Sequence, residues 1–565
     1  MKRISTLSFS MALTTDYSLP YLHLLFKQHY KQFGQRNEDY EWIGPKYYTQ
    51  DIHPDEVVDW LVTQQIDIVF ASMYMWNHEY TNLILKLFKE RKPDVVVIVG
   101  GPHVFADDTT YFKLHPWTDI ACDAKVYGEA FMVDYLDGNP LEDVVGAIWP
   151  TGKSTKPFII RDFKWATGVF ADNIDYIKET LSELHKNRPR AEMAVTIETS
   201  RGCPFACTFC EWGGGIATKM NKKDIDDVIK DVSHLVKAKI STLHIADSNF
   251  GFWEDDLRLL RHIASCNRIF GYPKQTVIYG WSKNNNKRHY EMCKIIANSN
   301  IEGFYYGLSV QGLNELTMKQ IKRSDNPFEE RYQLALQIQN ELNIDVRLEL
   351  VMGLPGDTIK DYYEVLDKKR DLYAFTSYMW ILLPNTEAYT LEYRQKYGIK
   401  TEWANNVQPA FIKPPGTPIN REFNDWYNTT NRYEYVIGSN TLDPEEWLEI
   451  YVMERFFNTA KLMPEIWKQL ESKRVELNLP VSIFWKRFMR NLDNITNPDW
   501  IELWAKAWPE IHKLIEPLPP GGVRFIGSAI IEGTQIHISD IIGEFFKLNT
   551  HEILQLIETD KRGLE

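Results

Sequence analysis

The chain has 565 residues, 44% of them hydrophobic, and a formal net charge of −13. This composition is typical of a soluble protein with about two to four domains. The negative charge opposes binding in a long nucleic-acid groove, and no apolar stretch reaches the roughly 18 residues of a membrane span. The apolar run at the N-terminus is too short for a secretion signal, so we expect a cytoplasmic protein without a nucleic-acid or membrane partner.

Apolar runs and amphipathic stretches alternate in the N-terminal third. They predict strands over 4–9, 66–72 and 94–99 and helices over 19–33, 54–64 and 80–91. Strands that are apolar on both faces indicate a parallel sheet covered by helices. We therefore predict a doubly wound, flavodoxin- or Rossmann-like α/β domain over 1–150, followed by a linker over 151–190. Ligands of such sheets bind beyond the carboxyl ends of the strands.

Three of those strand ends carry distinctive loops. They are Ser72-Met73-Tyr74-Met75-Trp76-Asn77, Gly100-Gly101-Pro102-His103 and Tyr127-Gly128-Glu129. Glycines at such places let a ligand approach the backbone closely. The alternative is a flavodoxin-like domain in which these are ordinary turn glycines.

Cys203, Cys207 and Cys210 form a Cys-x3-Cys-x2-Cys run. The run places three thiolates close enough to wrap one metal cluster. Three ligands on a four-iron cubane leave one iron open to a substrate or cofactor. A structural zinc site is the alternative, but it needs a fourth ligand. The downstream candidates form no paired motif: His244, Cys266 and Cys293. Short spacings and the missing secretion signal also argue against disulfides.

The pattern of alternating strands and helices continues around and beyond the cysteines. It predicts about six βα units, with strands over 193–198, 242–246, 276–281, 303–309, 345–352 and 374–382. A partial TIM-type barrel over 191–395 fits this count, with active loops at the strand carboxyl ends.

Residues 396–565 are predicted to be mainly helical. The helices cover 445–460, 463–473, 481–491 and 500–514, and a hairpin over 523–539 precedes a last helix. We expect this region to cap the open side of the barrel and shape the substrate pocket. Helices followed by a hairpin also occur in winged-helix binders, but no basic stripe supports that interpretation.

The cysteine run, with Phe209 before its third cysteine, resembles the cluster loop of the radical S-adenosylmethionine (radical SAM) superfamily. The three strand-end loops together resemble the cobalamin-binding domain of one class of that superfamily. The resemblance implies that the three cysteines hold a 4Fe-4S cluster whose open iron binds S-adenosylmethionine. It also implies cobalamin contacts by Ser72, Met73, Tyr74, Trp76, Asn77, Gly100, Gly101, Pro102, His103, Tyr127, Gly128 and Glu129.

The run Gly353-Leu354-Pro355-Gly356-Asp357-Thr358 resembles the loop that lies beside the adenine and ribose in this superfamily. The alternative is a turn and a helix cap only, made by Asp357 or Thr358. The predicted S-adenosylmethionine contacts are Phe209, Glu211, Asp247, Asn249, Ser309, Arg347, Gly353, Leu354 and Pro355. Arg347 either faces inward toward a carboxylate or pairs with Glu349 on the same strand face. Glu198 and Glu349 are further acidic candidates.

The chain differs from the motif of another class of cobalamin-binding domain. Methionine-synthase-type domains carry Asp-x-His-x-x-Gly, whose histidine coordinates cobalt. The nearest string here, from Asp51 through His53 to Glu56, lacks the glycine. We therefore expect no histidine ligand to cobalt. Met73, Tyr74 or Trp76 would then cover its lower face, and His103 would contact the corrin periphery or tail.

The resemblance implies a cobalamin-dependent radical SAM methyltransferase. Such an enzyme methylates an unactivated carbon, here of a peptide or natural product, through a 5′-deoxyadenosyl radical and methylcobalamin. A flavodoxin- or ferredoxin-type protein would supply the electron, and we expect a monomer. Two alternatives stay open. The same cofactors could drive a rearrangement, cyclisation or oxidation without methyl transfer, or the chain could be a non-enzymatic cobalamin or cluster sensor.

Overall fold

The computed structural model describes residues 1–9, 16–18, 21–46, 52–104, 110–187, 192–216, 219–283, 285–325, 327–405, 432–518, 524, 526–531 and 534–560. These residues divide between two compact units. The described residues of unit 1 fall in Met1–Phe304 and Leu383–Tyr389. Those of unit 2 fall in Tyr305–Leu382, Thr390–Val407 and Arg432–Glu565.

Unit 1 begins with eight short strands and six helices. The strands are β1 (Lys2–Leu7), β2 (Asp16–Ser18), β3 (Tyr40–Trp42), β4 (Ile68–Ser72), β5 (Val96–Gly100), β6 (Ile120–Cys122), β7 (Ala147–Trp149) and β8 (Gly152–Lys153). The helices are α1 (Tyr21–Phe33), α2 (Pro54–Thr63), α3 (His78–Arg91), α4 (Thr110–Leu114), α5 (Gly128–Leu136) and α6 (Ile174–Asn187).

Seven of these strands form the first sheet, in the order β3-β1-β4-β5-β6-β7-β8. The strands from β3 to β6 are parallel, and β7 and β8 add an antiparallel edge. Both faces are buried: Val69 and Ala71 lie in one apolar cluster with α2 and α3, whereas Ile68 and Phe70 lie in another with α1 and α5. The predicted parallel sheet with helix-covered faces is confirmed, and the antiparallel edge was not predicted.

The second sheet of unit 1 carries the cysteine loop. Its elements are β9 (Glu192–Ile197), β10 (Ser200–Arg201), β11 (Asn221–Lys222), α7 (Ile225–Lys237), β12 (Thr242–Ile245), α8 (Glu254–Phe270), β13 (Gln275–Ile278) and α9 (Asn286–Ala297). The sheet is parallel, in the order β13-β12-β9-β2. Its edge strand β2 comes from the start of the chain, which the sequence did not indicate. β10 and β11 form a separate antiparallel pair.

Unit 2 contains a third parallel sheet and nine of the eighteen described α-helices. Its strands are β14 (Tyr305–Gln311), β15 (Asp345–Met352), β16 (Ala374–Met379), β17 (Lys400–Asn405), β18 (Arg432–Gly438), β19 (Ser528–Ile531) and β20 (Thr534–His537). Its helices are α10 (Glu315–Gln320), α11 (Phe328–Leu342), α12 (Ile359–Lys369), α13 (Leu391–Tyr397), α14 (Pro444–Lys461), α15 (Pro464–Glu476), α16 (Val481–Arg490), α17 (Pro498–His512) and α18 (Ile538–Thr559).

The elements of unit 2 match most of the sequence-based expectations. β14, β15 and β16 are adjacent parallel strands, so each of the six strands predicted for the βα units has an observed counterpart. The partial barrel and the four domain boundaries stay predictions. The C-terminal hairpin is shorter than expected, and residues 523, 525, 532 and 533 of the predicted span lie outside the described residues. The antiparallel pair β17–β18 was missed. None of the described helices is both long and apolar enough to cross a membrane.

Aromatic side chains form the core of the C-terminal helices in unit 2. The Phe488 ring centroid lies 5.3 Å from that of Phe456 and 4.8 Å from that of Trp485. Phe545 contacts both Phe456 and Phe488. These large rings pack edge to face or tilted, which adds to the stabilisation from burial alone. Much of the aromatic content of this region therefore serves the core.

Phe488→Ala should lower the free energy of unfolding of unit 2 by about 3–5 kcal/mol, because it removes a fully buried ring and leaves a cavity. Chemical denaturation followed by tryptophan fluorescence measures the change. The matched control is Ile501→Ala on α17, whose side chain is 50% exposed. Equal effects of the two variants would contradict this description of the core.

Candidate functional site

The cysteine loop starts directly after β10, and the pairing of β10 with β11 closes its base. Arg201 pairs with Asn221 across this ribbon. The following Gly202 has a φ of +91°, and a Cβ atom there would lie 2.1 Å from the carbonyl oxygen of Lys219. Only glycine fits this conformation and this close approach. The ribbon and Gly202 thus determine where the loop leaves the sheet.

The three cysteines are free thiols in a largely buried loop. Cys203 and Cys207 are buried and Cys210 is half-buried. Burial raises the pKa of Cys210 to about 11, against an opposing effect of the nearby Lys283. No three His, Cys, Asp or Glu side chains in the described residues could together hold a single metal ion.

Two nitrogen donors contact the cysteine sulfurs. Asn249 Nδ2 donates to Cys203 Sγ at 3.0 Å, and Lys283 Nζ donates to Cys207 Sγ at 3.1 Å. Asn249 follows β12 and Lys283 follows β13, so both donors come from strand carboxyl ends. The structure thus brings the predicted residue Asn249 to the cysteines. Lys283 was missed, although its place after a predicted strand is the signal that could have identified it.

A π-helical turn, Glu211–Ile216, follows the third cysteine. Gly213 in this turn packs against the loop so closely that a Cβ atom would lie 2.1 Å from the carbonyl oxygen of Phe205. The same Cβ would lie 3.1 Å from Cys203 Cβ. Burial raises the pKa of Glu211 to about 7. Gly213 therefore allows this turn to pack closely on the cysteine loop.

Asp247, predicted as an S-adenosylmethionine contact, is already bound by its own chain. Its carboxylate accepts hydrogen bonds from Thr199 N at 2.8 Å, from the Thr199 hydroxyl and from Ser200 Oγ at 3.0 Å. Burial raises its pKa to about 7. The geometry indicates that Asp247 positions the start of β10, and with it the cysteine loop.

Four charged side chains form a largely buried cluster beneath this loop: Glu129, which is 2% exposed, and Glu198, Arg201 and Lys223, which are 12–22% exposed. We call it the buried charge cluster. Arg201 Nη1 lies 2.9 Å from Glu129 Oε1, and Arg201 Nε lies 2.8 Å from Glu198 Oε1. Lys223 Nζ lies 3.6 Å from Glu198 Oε2, which also accepts a hydrogen bond from Tyr21 at 2.8 Å. The two positive groups balance the two negative ones.

The buried charge cluster corrects one predicted role. Glu129 was expected to contact cobalamin, but its side chain is 2% exposed and is paired with Arg201. Burial alone would raise the pKa of Glu129, yet Arg201 outweighs it and the pKa is lowered. For Glu198, Arg201 and Lys223 outweigh burial and lower the pKa to about 2. Both carboxylates are therefore ionised at neutral pH.

The loop after β4 is held by its own polar groups. Asn77 is fully buried; its Oδ1 accepts from Tyr74 N at 2.7 Å and its Nδ2 donates to Ser72 O at 3.1 Å. Met73 is also fully buried, in the core of the first sheet. This corrects the expectation that Met73 could cover cobalt. Tyr74 and Trp76 are half-buried and stacked, with ring centroids 4.5 Å apart.

The loop after β5 runs against the loop after β4. His103 N donates to Met73 O at 3.0 Å, and Gly101 has a φ of +99°. A Cβ atom on Gly101 would lie 2.8 Å from Met73 O. The His103 ring stacks on His78 with centroids 4.0 Å apart, and burial lowers the pKa of His103 to about 4. His103 is therefore neutral at physiological pH.

The remaining predicted cobalamin residues pack the first sheet. A Cβ atom on Gly100 would lie 3.3 Å from Cys122 Cβ, and one on Gly128 would lie 3.1 Å from the Phe26 ring. Tyr127 precedes α5, and its ring is 5.0 Å from that of Phe163. These contacts are those expected of ordinary turn and packing positions. Pro102 lies in the loop after β5, and its carbonyl oxygen accepts a hydrogen bond from Asn385.

The segment 383–389 contacts both candidate loops of unit 1. Asn385 Nδ2 donates to the carbonyl oxygens of Pro102 and Val104, both at 2.9 Å. Ala388 N donates to Thr208 O, also at 2.9 Å. These contacts were not predicted, because the segment is distant along the chain from both loops. It connects the loop after β5 with the cysteine loop.

In unit 2, Ser309 and Glu349 lie side by side on β14 and β15. The Ser309 hydroxyl donates to Glu349, and burial raises the pKa of Glu349. The Arg347 guanidinium lies 4.0 Å from the centroid of the Tyr305 ring. Arg347 and Glu349 are both half-buried on one strand face, as their spacing predicts. In the described structure Arg347 stacks on Tyr305 rather than pairing closely with Glu349.

The Gly353–Asp357 loop is buried within unit 2. Gly353 has a φ of +90°, and Leu354 and Pro355 are buried with it. Thr358 is the N-cap of α12 and forms a capping box with Asp361. Asp357 instead accepts hydrogen bonds from Thr317 Oγ1 and Tyr362 OH, and burial raises its pKa to about 7. The turn and cap expected for this loop are present, with Thr358 as the cap.

The family model described as the radical SAM superfamily matches residues 197–368, which include the cysteine loop. Residues 197–368 are therefore a radical SAM domain. Two relatives are 24% identical to it: the cobalamin-dependent radical SAM methyltransferase TokK of Streptomyces tokunonensis, and the 2-(S-pantetheinyl)-carbapenam-3-carboxylate methyltransferase of Streptantibioticus cattleyicolor. The matches cover 77% and 68% of this chain but only 62% and 55% of those proteins.

Solved radical SAM structures share the fold. The methyltransferase TsrM from Kitasatospora setae, with tryptophan and an S-adenosylmethionine analogue bound, superimposes with a TM-score of 0.56 at 15% identity, covering 80% of this chain and 88% of TsrM. OxsB, a cobalamin-dependent S-adenosylmethionine radical enzyme, gives a TM-score of 0.54 at 14% identity, covering 99% of this chain and 81% of OxsB. The resemblance to cobalamin-dependent radical SAM enzymes is confirmed.

Glu198→Gln should make the free energy of unfolding depend less steeply on pH in the acid range. The pKa of Glu198 is lowered from 4.5 to about 2 in the folded protein, so its ionised form stabilises the fold above pH 4.5. That contribution is lost as the pH falls from 4.5 toward about 2. Urea unfolding at a series of pH values measures it. The exposed Glu38→Gln is the control and should keep the wild-type slope; a wild-type slope for Glu198→Gln would refute the assignment.

Proposed function

We propose that this chain is a cobalamin-dependent radical SAM methyltransferase that methylates an unactivated carbon of a small-molecule or peptide substrate. The observation that carries the proposal is the loop with three free cysteines, two of whose sulfurs accept hydrogen bonds from Asn249 and Lys283, which follow strands β12 and β13. Such donors are among the protein's means of tuning an iron–sulfur cluster. The membership of residues 197–368 in the radical SAM superfamily supports the same reading.

The residues around the loop fit a 4Fe-4S cluster and S-adenosylmethionine. Cys203, Cys207 and Cys210 would hold the cluster. Asn249 Oδ1 is buried and has no hydrogen-bond partner among the described residues, while its Nδ2 contacts Cys203. A buried acceptor without a donor is costly. The ammonium group of S-adenosylmethionine would supply that donor next to the cluster.

The strand ends of the first sheet fit cobalamin at a smaller set of residues than the sequence suggested. Met73, Asn77 and Glu129 are committed to the protein interior. Ser72, Tyr74, Trp76 and the segment 100–103 remain at the carboxyl ends of β4 and β5, where parallel sheets bind ligands. TsrM structures contain cobalamin and a 4Fe-4S cluster, and an OxsB structure contains aqua-cobalamin and S-adenosylmethionine. Those contents support the assignment.

When bound, these groups supply the electron, the radical chemistry and the methyl carrier, while the protein supplies geometry. Arg201 and its two carboxylate partners hold the cysteine loop against the first sheet. The stacked rings of Tyr74 and Trp76 would offer an apolar surface to a bound cobalamin. We propose a flavodoxin- or ferredoxin-type donor for the electron, and a monomeric cytoplasmic protein.

A second function is carried by the similarity to OxsB, which is described as a radical enzyme and not as a methyltransferase. The same residues would then direct a rearrangement, cyclisation or oxidation. The mass of the product separates the two functions, because each methylation adds one CH₂ unit. Methyl transfer is favoured, since TokK and the carbapenam methyltransferase are both relatives in sequence. The carbapenam and tryptophan substrates named for the relatives favour a small molecule over a long peptide.

Replacing any of Cys203, Cys207 or Cys210 with alanine should abolish cluster binding and formation of 5′-deoxyadenosine from S-adenosylmethionine under reduction. Anaerobic reconstitution, iron and sulfide analysis, and chromatography of the products measure both effects. Cys293→Ala is the matched control because Cys293 is a buried free thiol that lies outside the loop. Deoxyadenosine production by a loop variant, or an iron-free wild-type protein, would overturn the proposal.

Gly101→Ala should weaken cobalamin binding about tenfold, since a side chain would strain the loop after β5 and press on Met73 O. Titration with hydroxocobalamin, followed by its visible spectrum, measures the affinity. Gly271→Ala is the control: Gly271 also has a positive φ, of +73°, but its added Cβ would meet nothing within 4 Å. An unchanged affinity in Gly101→Ala, or an equal loss of affinity in both variants, would contradict the assignment of cobalamin binding to this loop.

A further inference from the structure

Lys283 places a positive charge on the cysteine loop. Its Nζ lies 3.1 Å from Cys207 Sγ and 4.2 Å from the centroid of the Phe205 ring, and both of these residues belong to the loop. In the described part of the chain no carboxylate lies within 4 Å of this ammonium. A lysine that had been placed for stability alone would usually find an acidic partner or extend into water. Here it faces a sulfur and an aromatic ring.

The backbone before Lys283 is held firmly, so this contact is built into the fold. Ser282 is buried, its N donates to Phe250 O at 2.9 Å and its Oγ lies 2.9 Å from His289 Nε2. Trp281 is buried and pairs with Phe250 in a parallel bridge. These contacts hold the backbone next to Lys283 in place. The Lys283 side chain therefore extends toward Cys207 from a well-defined backbone position.

The two sulfur donors differ in charge. Asn249 gives Cys203 a neutral N–H group, whereas Lys283 gives Cys207 a charged one. Hydrogen bonds from ionised donors are roughly twice as strong as neutral ones. A cluster held by three thiolates becomes more negative by one charge when it takes up an electron. A fixed positive charge at one of its sulfurs stabilises the reduced form more than the oxidised form.

We propose that Lys283 is a positioning residue that sets the reduction potential of the cluster, making it easier to reduce. The inference rests on the proposed function, because it requires that Cys203, Cys207 and Cys210 hold a cluster. It extends that function by naming the side chain that adjusts the reduction potential of the cluster toward that of its electron donor. Lys283 contacts a cysteine sulfur directly. Its effect on the reduction potential should therefore be present when S-adenosylmethionine is absent.

The test compares reconstituted wild-type protein with Lys283→Met, Lys283→Gln and Lys283→Arg. Each is titrated with dithionite at controlled potentials without S-adenosylmethionine, and the reduced cluster is quantified by electron paramagnetic resonance. In Lys283→Met we expect the ratio of reduced to oxidised cluster at a given potential to fall about tenfold, which is a shift of about 59 mV for one electron. Lys283→Arg should keep the wild-type potential, and Lys283→Gln should fall between, since it keeps a donor without the charge.

Lys287→Met is the control, because it removes one exposed positive charge only four positions away. It should leave the potential unchanged. The resonance signal comes only from loaded protein, so partial loading of a variant does not obscure its potential. A wild-type potential in loaded Lys283→Met would overturn this inference alone. An equal shift in Lys287→Met would also overturn it, whereas a wild-type protein that binds no cluster would overturn the proposed function together with the inference.

Discussion

The pairing of Arg201 with the buried carboxylate of Glu129 and the largely buried carboxylate of Glu198 is the interaction on which the candidate site depends. Arg201 immediately precedes Gly202 and Cys203. Glu198 directly follows β9, and Glu129 lies at the start of α5. A buried charge without a partner is destabilising by several kcal/mol. The cysteine loop can therefore leave this position only if the whole set of charges is exposed to water or separated. The loop is in this way held to the α/β layer that precedes it in the chain.

Other polar contacts of unit 1 also hold its loops in place. Asp247 receives three hydrogen bonds from Thr199 and Ser200, immediately before Arg201. Asn385 and Ala388 connect the loop after β5 with the cysteine loop from the opposite end of the described sequence of unit 1. Each contact restrains one loop relative to another. The parts that would carry separate cofactors are thus arranged by polar side chains and backbone groups rather than by apolar packing alone.

The features that could be predicted from the sequence are those that depend on near neighbours. The cysteine spacing, the apolar strands and the cap at Thr358 each need only a few consecutive residues. Glu129 was misassigned because a carboxylate at a strand end has the same local pattern whether it faces a ligand or a distant arginine. Met73 was misassigned because a loop position does not reveal that its side chain turns into the core. Lys283 was missed since its partner lies 76 positions away in the sequence.

The strand β2 gives the start of the chain a second role. Residues 2–7 lie inside the first sheet, yet Asp16 and Ser18 pair with Glu192 and Ala194 at the edge of the sheet that carries the cysteines. A protein that began after residue 191 would lose this strand and leave β9 with open backbone donors and acceptors. Exposed edges of this kind join the edges of other molecules. The cysteine-bearing half is therefore not a detachable module, and if it were expressed by itself it would tend to self-associate.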